Sequence, residues 1–261
     1  MTTIAYASVT RSGLSFPRQL WLRPEIIPGL REVTAAIHAE GAAASIQIGH
    51  CGNMSHKSIC GVTPISASSG FNIYSPTWVR GMKREELPEM AKAYGRAVCL
   101  AREAGFDAVE VHAGHGYLIS QFLSPYTNHR KDEYGGSLEN RMRFMTMVMN
   151  EVMKAAGKDL AVFVKMNMRD GFRGGMEIEE TLEVARRLES LGAHALVLSG
   201  GFVSKALCTS CVGPCYQDPD TLYGLLVVEV RRQIGGEDDD TDCSFQRSLF
   251  SGRCSEVSFG N

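Results

Sequence analysis

The stretch Val109–Phe144, VEVHAGHGYLISQFLSPYTNHRKDEYGGSLENRMRF, decides how the rest of the chain is read. It opens as the end of a short apolar strand, Ala108–His112, and then places His115, Gly116 and Tyr117 directly after it. Working outward, further strand candidates are Ile4–Val9, Ala43–Ile48, Leu160–Met166 and Ala195–Ser199. Several are apolar at consecutive positions, as strands buried on both faces should be. Helix candidates lie between them: Glu25–Ala39, Glu89–Ala104, Leu138–Ala155 and Ile178–Leu191. Ser137 is placed to cap the third of these and Gly192 to end the fourth.

Strand–helix alternation around a parallel sheet leaves two main architectures, a doubly wound sheet or a (β/α)8 barrel. No G-x-G-x-x-G opens a helix after the first strand, so the dinucleotide-binding open sheet has no support. Polar and aromatic residues instead gather past several strand ends: Gln47 and His50, His112 to Tyr117, Lys165 and Asn167. Barrel active sites are built at those positions, on the C-terminal face. The fold class read here is therefore α/β, a (β/α)8 barrel.

Composition narrows the function. The 261 residues are 44% hydrophobic, enough for one substantial core, and the net charge of −2 makes no electrostatic case for nucleic acid or an anionic membrane. No apolar run approaches the length of a membrane-spanning helix, and the start lacks a secretory pattern; a cytoplasmic protein is expected. Five of the eight cysteines (Cys208, Cys211, Cys215, Cys243 and Cys254) follow Ala206, a composition break that divides the chain into residues 1–206 and 207–261.

Two neutral imidazoles side by side, His112 and His115, can donate hydrogen bonds to a carbonyl oxygen that gains negative charge. Tyr117, two positions on, could deliver a proton to a neighbouring carbon. The same residues also read as loop histidines satisfied by backbone and a packed aromatic. A zinc site on His50, His112 and His115 is a third possibility, without a supporting carboxylate or H-E-x-x-H helix.

The quoted stretch resembles the signature of the Old Yellow Enzyme-like NAD(P)H:flavin oxidoreductases, and the resemblance covers essentially all of residues 1–206. It implies a barrel holding FMN across its C-terminal mouth. His112 and His115 match the pair that binds the substrate's carbonyl oxygen, and Tyr117 matches the proton donor. Gln47 in IQIGH matches a glutamine that contacts the flavin ring. Lys165 in VFVKMN stands where the family usually has arginine near the flavin's N1/O2 edge; lysine keeps the charge and loses the planar fork. The implied reaction carries a hydride from NAD(P)H through the flavin to the β-carbon of an activated alkene, an enone or enoyl compound, while Tyr117 protonates the α-carbon.

Other features read as structure. Arg130, Asp132, Glu139, Arg141 and Arg143 are expected to pair among themselves across a long excursion, and Met142, Met145, Met147, Met149 and Met153 to pack a helix. Compared with the family pattern, strands two to six of eight are expected, leaving an incomplete barrel. LCTSCVGPC (207–215) invites an iron–sulfur or metal-binding reading, but relatives with such a cluster carry it after a complete barrel and no fourth cysteine is well spaced. Codons for Leu207–Cys215, Thr221–Arg232 and Asp242–Phe245, read in shifted frames, can spell strings resembling those relatives, so 207–261 is expected to be an aberrant, out-of-frame or disordered tail. A gene sequence without those alternative readings removes that expectation. The rival to an FMN-dependent enzyme is a non-catalytic barrel remnant, or a metal-binding protein through Cys208, Cys211 and Cys215.

Overall fold

The computed structural model describes residues 1–73 and 75–203; the expectations for residues 207–261, including the Cys208/Cys211/Cys215 cluster, lie outside the described residues. In chain order the elements are β1 (Thr2–Ser8), α1 (Ile27–Ala39), β2 (Ala44–Gly49), α2 (Lys57–Cys60), β3 (Ile65–Ser66), β4 (Gly70–Asn72) and β5 (Thr77–Gly81). They continue with α3 (Glu86–Glu103), β6 (Ala108–His112), α4 (Leu118–Leu123), α5 (Leu138–Ala156), β7 (Ala161–Asn167), α6 (Ile178–Ser190) and β8 (Ala195–Ser199).

β1, β2, β6, β7 and β8 form one sheet in that order, every pair parallel. These are the five strands read from the sequence, displaced by at most two residues at an end. A doubly wound sheet reverses its strand order at a switch point. This one does not reverse, so its winding is that of a barrel.

The two faces of the sheet differ. Ile46, Ile48, Val109, Val111, Val162, Val164 and Met166 are fully buried and share one core with Leu87, Ala91 and Tyr94 of α3 and with Phe144, Met145 and Val148 of α5. The alternate positions form rows across the other face: Gln47, Glu110 and Phe163 in one, His112, Lys165 and Val197 in the next, Asn167 and Ser199 at the rim. The consecutive apolar runs therefore conceal a period-two pattern, clearest in β7, where Phe163 and Lys165 are only partly buried.

α3 and α5 pack so closely that a Cβ on Gly95 would lie 3.2 Å from the Glu151 carbonyl oxygen. α3 begins three residues earlier than the periodicity predicts because Glu86 anchors its first turn: the carboxylate accepts from the Lys83 N–H at 2.6 Å and pairs with Arg80. The Ser137 hydroxyl caps α5 as anticipated, accepting from the Asn140 N–H at 3.4 Å. Met142, Met145 and Met149 are buried in the core, with Met147 and Met153 packed against it. The small sheet β3–β5–β4 was not anticipated: β3 and β4, of two and three residues, are too short to show an alternation, and β5 does not alternate cleanly between buried and exposed positions.

The charges of the excursion do not simply pair among themselves. Arg130 and Asp132 do, at 2.5 Å, but Glu139 reaches Arg187 of α6 at 2.9 Å and Arg143 donates to Asn140. Arg141 is buried, donating to the Leu123 carbonyl and pairing with Glu180 of α6. The network ties the excursion to the next helix.

Phe144 is fully buried, with its ring centroid 4.4 Å from that of Phe122. Phe144→Ala is expected to destabilise the fold by about 3–5 kcal/mol. Val33→Ala, at a site 40% exposed, should change stability by less than about 0.5 kcal/mol. Urea unfolding midpoints at unchanged slope check both.

Candidate active site

The C-terminal ends of the strands carry the concentration of polar side chains. β6 ends on His112, whose Nδ1 accepts from the Gly114 N–H at 3.2 Å, so in the neutral ring Nε2 carries the proton. Its ring stacks on Tyr117, with centroids 4.4 Å apart and planes 24° from parallel. The His115 ring stands 5.0 Å away at 82°. His115 has φ +58°, the only positive φ outside glycine among the described residues. Gly116 follows at φ +78°, and a Cβ there would strike the Phe202 ring.

The register irregularity between Ile4 and Ala7 lets Tyr6 join this cluster, its ring edge-on to Tyr117 at 5.1 Å. The Tyr6 hydroxyl donates to the Gly13 carbonyl at 2.9 Å. Gly49 makes room for it: a Cβ would lie 2.8 Å from the Tyr6 ring and 3.1 Å from the His112 Cβ.

Burial sets the protonation state of the imidazoles. It holds His112 well below the usual histidine range, with His115 and then Lys165 adding to the effect. Burial, followed by the Lys165 ammonium, lowers His115 to about 4. Both rings are neutral donors at neutral pH. Lys165 stands beside His112 in the adjacent strand. Gln47 lies one row deeper, where its amide donates to the buried Glu110 carboxylate at 2.5 Å. The structure thus brings His112, His115 and Tyr117 into contact and sets Lys165 and Gln47 on the same face.

His50 is elsewhere. Its Nδ1 accepts from the Gly52 N–H at 2.9 Å, which leaves Nε2 to donate to the Ser12 hydroxyl at 3.0 Å, and burial lowers it to about 3. Among the described residues no group of three His, Cys, Asp or Glu is arranged to hold a metal, so the three-histidine zinc site is not formed. No described helix is long and apolar enough to cross a membrane.

Sequence reasoning missed Tyr6, Ser199, Asp170 and the part played by Asn167. Asn167 Oδ1 accepts the His115 N–H at 2.9 Å, and Ser199 Oγ meets His115 Nε2 at 2.7 Å. For Asn167, Asp170 and Ser199 the one sequence signal was position, at or just past the ends of β7 and β8; Tyr6, inside β1, had none.

A family model described as the NADH:flavin oxidoreductase / NADH oxidase family matches residues 1–204. The chain belongs to this family. Among curated family relatives, a 4,4'-dithiodibutanoate disulfide reductase of Rhodococcus erythropolis is 39% identical over 202 residues, 77% of this chain and 50% of that protein. A cinnamate reductase of Clostridium sporogenes is 38% identical over 179 residues, 66% of this chain and 27% of that protein. The chain thus spans half or less of the length of these relatives. The solved old yellow enzyme homologue of Zymomonas mobilis superposes with a TM-score of 0.71 at 27% identity, over 79% of this chain and 62% of that one.

The buried histidines predict acid sensitivity. A histidine whose folded pKa lies below its unfolded value of about 6.5 leaves the unfolded state holding more protons between the two, so stability is lost as the pH is lowered across that window. For His50 and His115 the window runs from about 6.5 down to about 3 and about 4 respectively. Each contributes a slope of up to about 1.4 kcal/mol per pH unit. Urea midpoints from pH 7 to 4.5 should fall, and fall less steeply in His115→Asn; equal slopes in the two proteins would contradict the assignment.

Proposed function

We propose that this chain carries the substrate-activating part of an FMN-dependent ene-reductase. The net reaction joins an α,β-unsaturated carbonyl compound, NAD(P)H and a proton to give the saturated compound and NAD(P)+. The observation that carries the reading is the pair of neutral imidazoles, His112 and His115, set at right angles beside Tyr117.

A substrate carbonyl oxygen placed against both rings gains negative charge as the β-carbon accepts hydride. Neutral N–H donors already in place stabilise that charge without reorganisation. An imidazolium would be the wrong species, because it would already have lost its proton to water at neutral pH in so buried a site. Tyr117, stacked on His112, is within reach of the same substrate and supplies the proton to the α-carbon.

The residues present fit one edge of an isoalloxazine ring. Lys165 offers a cation toward the face that carries His112 and His115, and Gln47 an amide whose nitrogen is engaged by Glu110, leaving its oxygen as the acceptor. Lys165 and Gln47 would hold the ring of FMN, which when bound supplies hydride transfer between NAD(P)H and the alkene. The reading takes residues 1–206 as the barrel segment, involves no iron–sulfur cluster and no nucleic-acid or membrane partner, and implies a cytoplasmic location, where NAD(P)H is available.

Titration of the 261-residue chain with FMN, followed by flavin fluorescence, should saturate at micromolar or tighter affinity, about −8 kcal/mol. Anaerobic NADPH should then bleach the flavin, and Tyr117→Phe should slow alkene reduction about 10²–10⁴-fold, the loss falling on that step and not on bleaching. A soluble chain with no saturable binding would replace this reading by the non-catalytic remnant.

A further inference from the structure

His115 sits in the left-handed region, uncommon for a residue other than glycine, and the structure shows what holds it there. The His115 N–H donates to Asn167 Oδ1 at 2.9 Å. The amide of Asn167 has one possible orientation: its nitrogen donates to Asp170 Oδ1 at 3.0 Å and to the Gly201 carbonyl at 2.9 Å. Flipping it would set NH2 against the His115 N–H and its oxygen against a carboxylate. Asp170 is itself held by the Ser124 hydroxyl at 2.6 Å and the Met176 N–H at 2.8 Å. Asn167 reaches the backbone only because residue 114 is glycine; a Cβ there would lie 2.8 Å from Asn167 Oδ1. Asn167, Asp170, Ser124 and His115 are all 5% exposed or less, so no solvent competes for these bonds.

The ring is held separately. Asn167 and Ser199 are register partners on β7 and β8, and the Ser199 hydroxyl oxygen lies 2.7 Å from His115 Nε2. A neutral imidazole has one donor nitrogen. His112 presents Nε2–H, because the Gly114 N–H occupies its Nδ1. For His115 to offer a second donor to the same substrate oxygen, its Nδ1 must carry the proton and its Nε2 must accept.

We propose that Asn167 and Ser199 are positioning residues for His115: Asn167 holds its backbone in the left-handed region, and the Ser199 hydroxyl, donating to Nε2, holds its ring as the Nδ1–H tautomer. The tautomer half rests on the proposed role of His115 as a carbonyl-binding donor. Neither residue touches the reacting atoms. Together they join the ends of three neighbouring strands to one imidazole, so the second donor depends on β7 and β8 although its side chain follows β6.

Long-range proton–nitrogen correlation of the full chain labelled with ¹⁵N-histidine reads the tautomer directly, without flavin or substrate. His115 is assigned by the signal lost in His115→Asn. The wild type should show Nδ1–H. Ser199→Ala should move the ratio toward Nε2–H about fivefold, the worth of one hydrogen bond, and Ser199→Thr, which keeps the hydroxyl, should restore the wild-type pattern. His50, bonded to Ser12 and Gly52, is the control for folding and should not change. Hydrogen exchange at the wild-type His115 amide should be slow, and Asn167→Ala should abolish that protection.

A wild-type His115 in the Nε2–H form, an unchanged ratio in Ser199→Ala, or fast exchange at the wild-type His115 amide would overturn the inference; the last needs no variant to fold. Because none of these signals needs FMN, failure to bind flavin would remove the proposed reaction while leaving this positioning standing on its own measurement.

Discussion

The register between β6 and β7, in which His112 lies beside Lys165, is the constraint on which the site depends. Side chains alternate across a strand, so a slip of one residue would exchange every lumen-side group for a core group. In β7 it would place Lys165 on the core side and turn Val164 toward the mouth. The apolar contact of the outer face with α3 and α5 thus sets where the polar face points. Packing and chemistry are two sides of the same register.

That register also creates the electrostatics. Two imidazoles and an ammonium on one face would repel if all were charged. Burial settles the conflict by keeping the rings neutral, and the Lys165 charge reinforces it. At the strand ends the Lys165 cation stands beside two neutral donors, with the Glu110 carboxylate one row deeper and bonded to Gln47. Such a face suits a ligand that becomes negative, and it would suit a metal ion poorly.

The excursion after β6 supplies the other half of the site. Tyr117 precedes α4, whose C-terminal carbonyl at Leu123 is taken by the buried Arg141 guanidinium, itself paired with Glu180 of α6. Gln121, fully buried, donates to the Gly116 carbonyl at 2.5 Å and to Asn53 Oδ1 at 2.8 Å, tying the turn that bears Tyr117 to the loop after β2. A buried guanidinium left without its partner is strongly unfavourable. The segment carrying Tyr117 is therefore held at both ends, by the loop before it and the helix after it.

Much of this was legible in the residues. Strand–helix alternation and the clustering of His112, His115 and Tyr117 past a strand end identified a barrel-type sheet and the end at which its polar side chains gather, because core burial and strand-end loops impose local patterns on a chain. The strands β3 and β4 escaped for the opposite reason, being too short to show a pattern, and β5 lacks a clean alternation. The sequence by itself determined which residue types stand at the strand ends, and hence the class of chemistry available. Only the tertiary structure decided that His50 turns away to Ser12, that Arg141 pairs with α6, and that Asn167 and Ser199 bond to His115 while Asp170 bonds to Asn167. Those contacts join positions from 38 to 84 residues apart, apart from the Asn167–Asp170 link, and are set by how distant elements pack together. Local periodicity records which face a residue occupies; it holds no record of which distant residue shares that face.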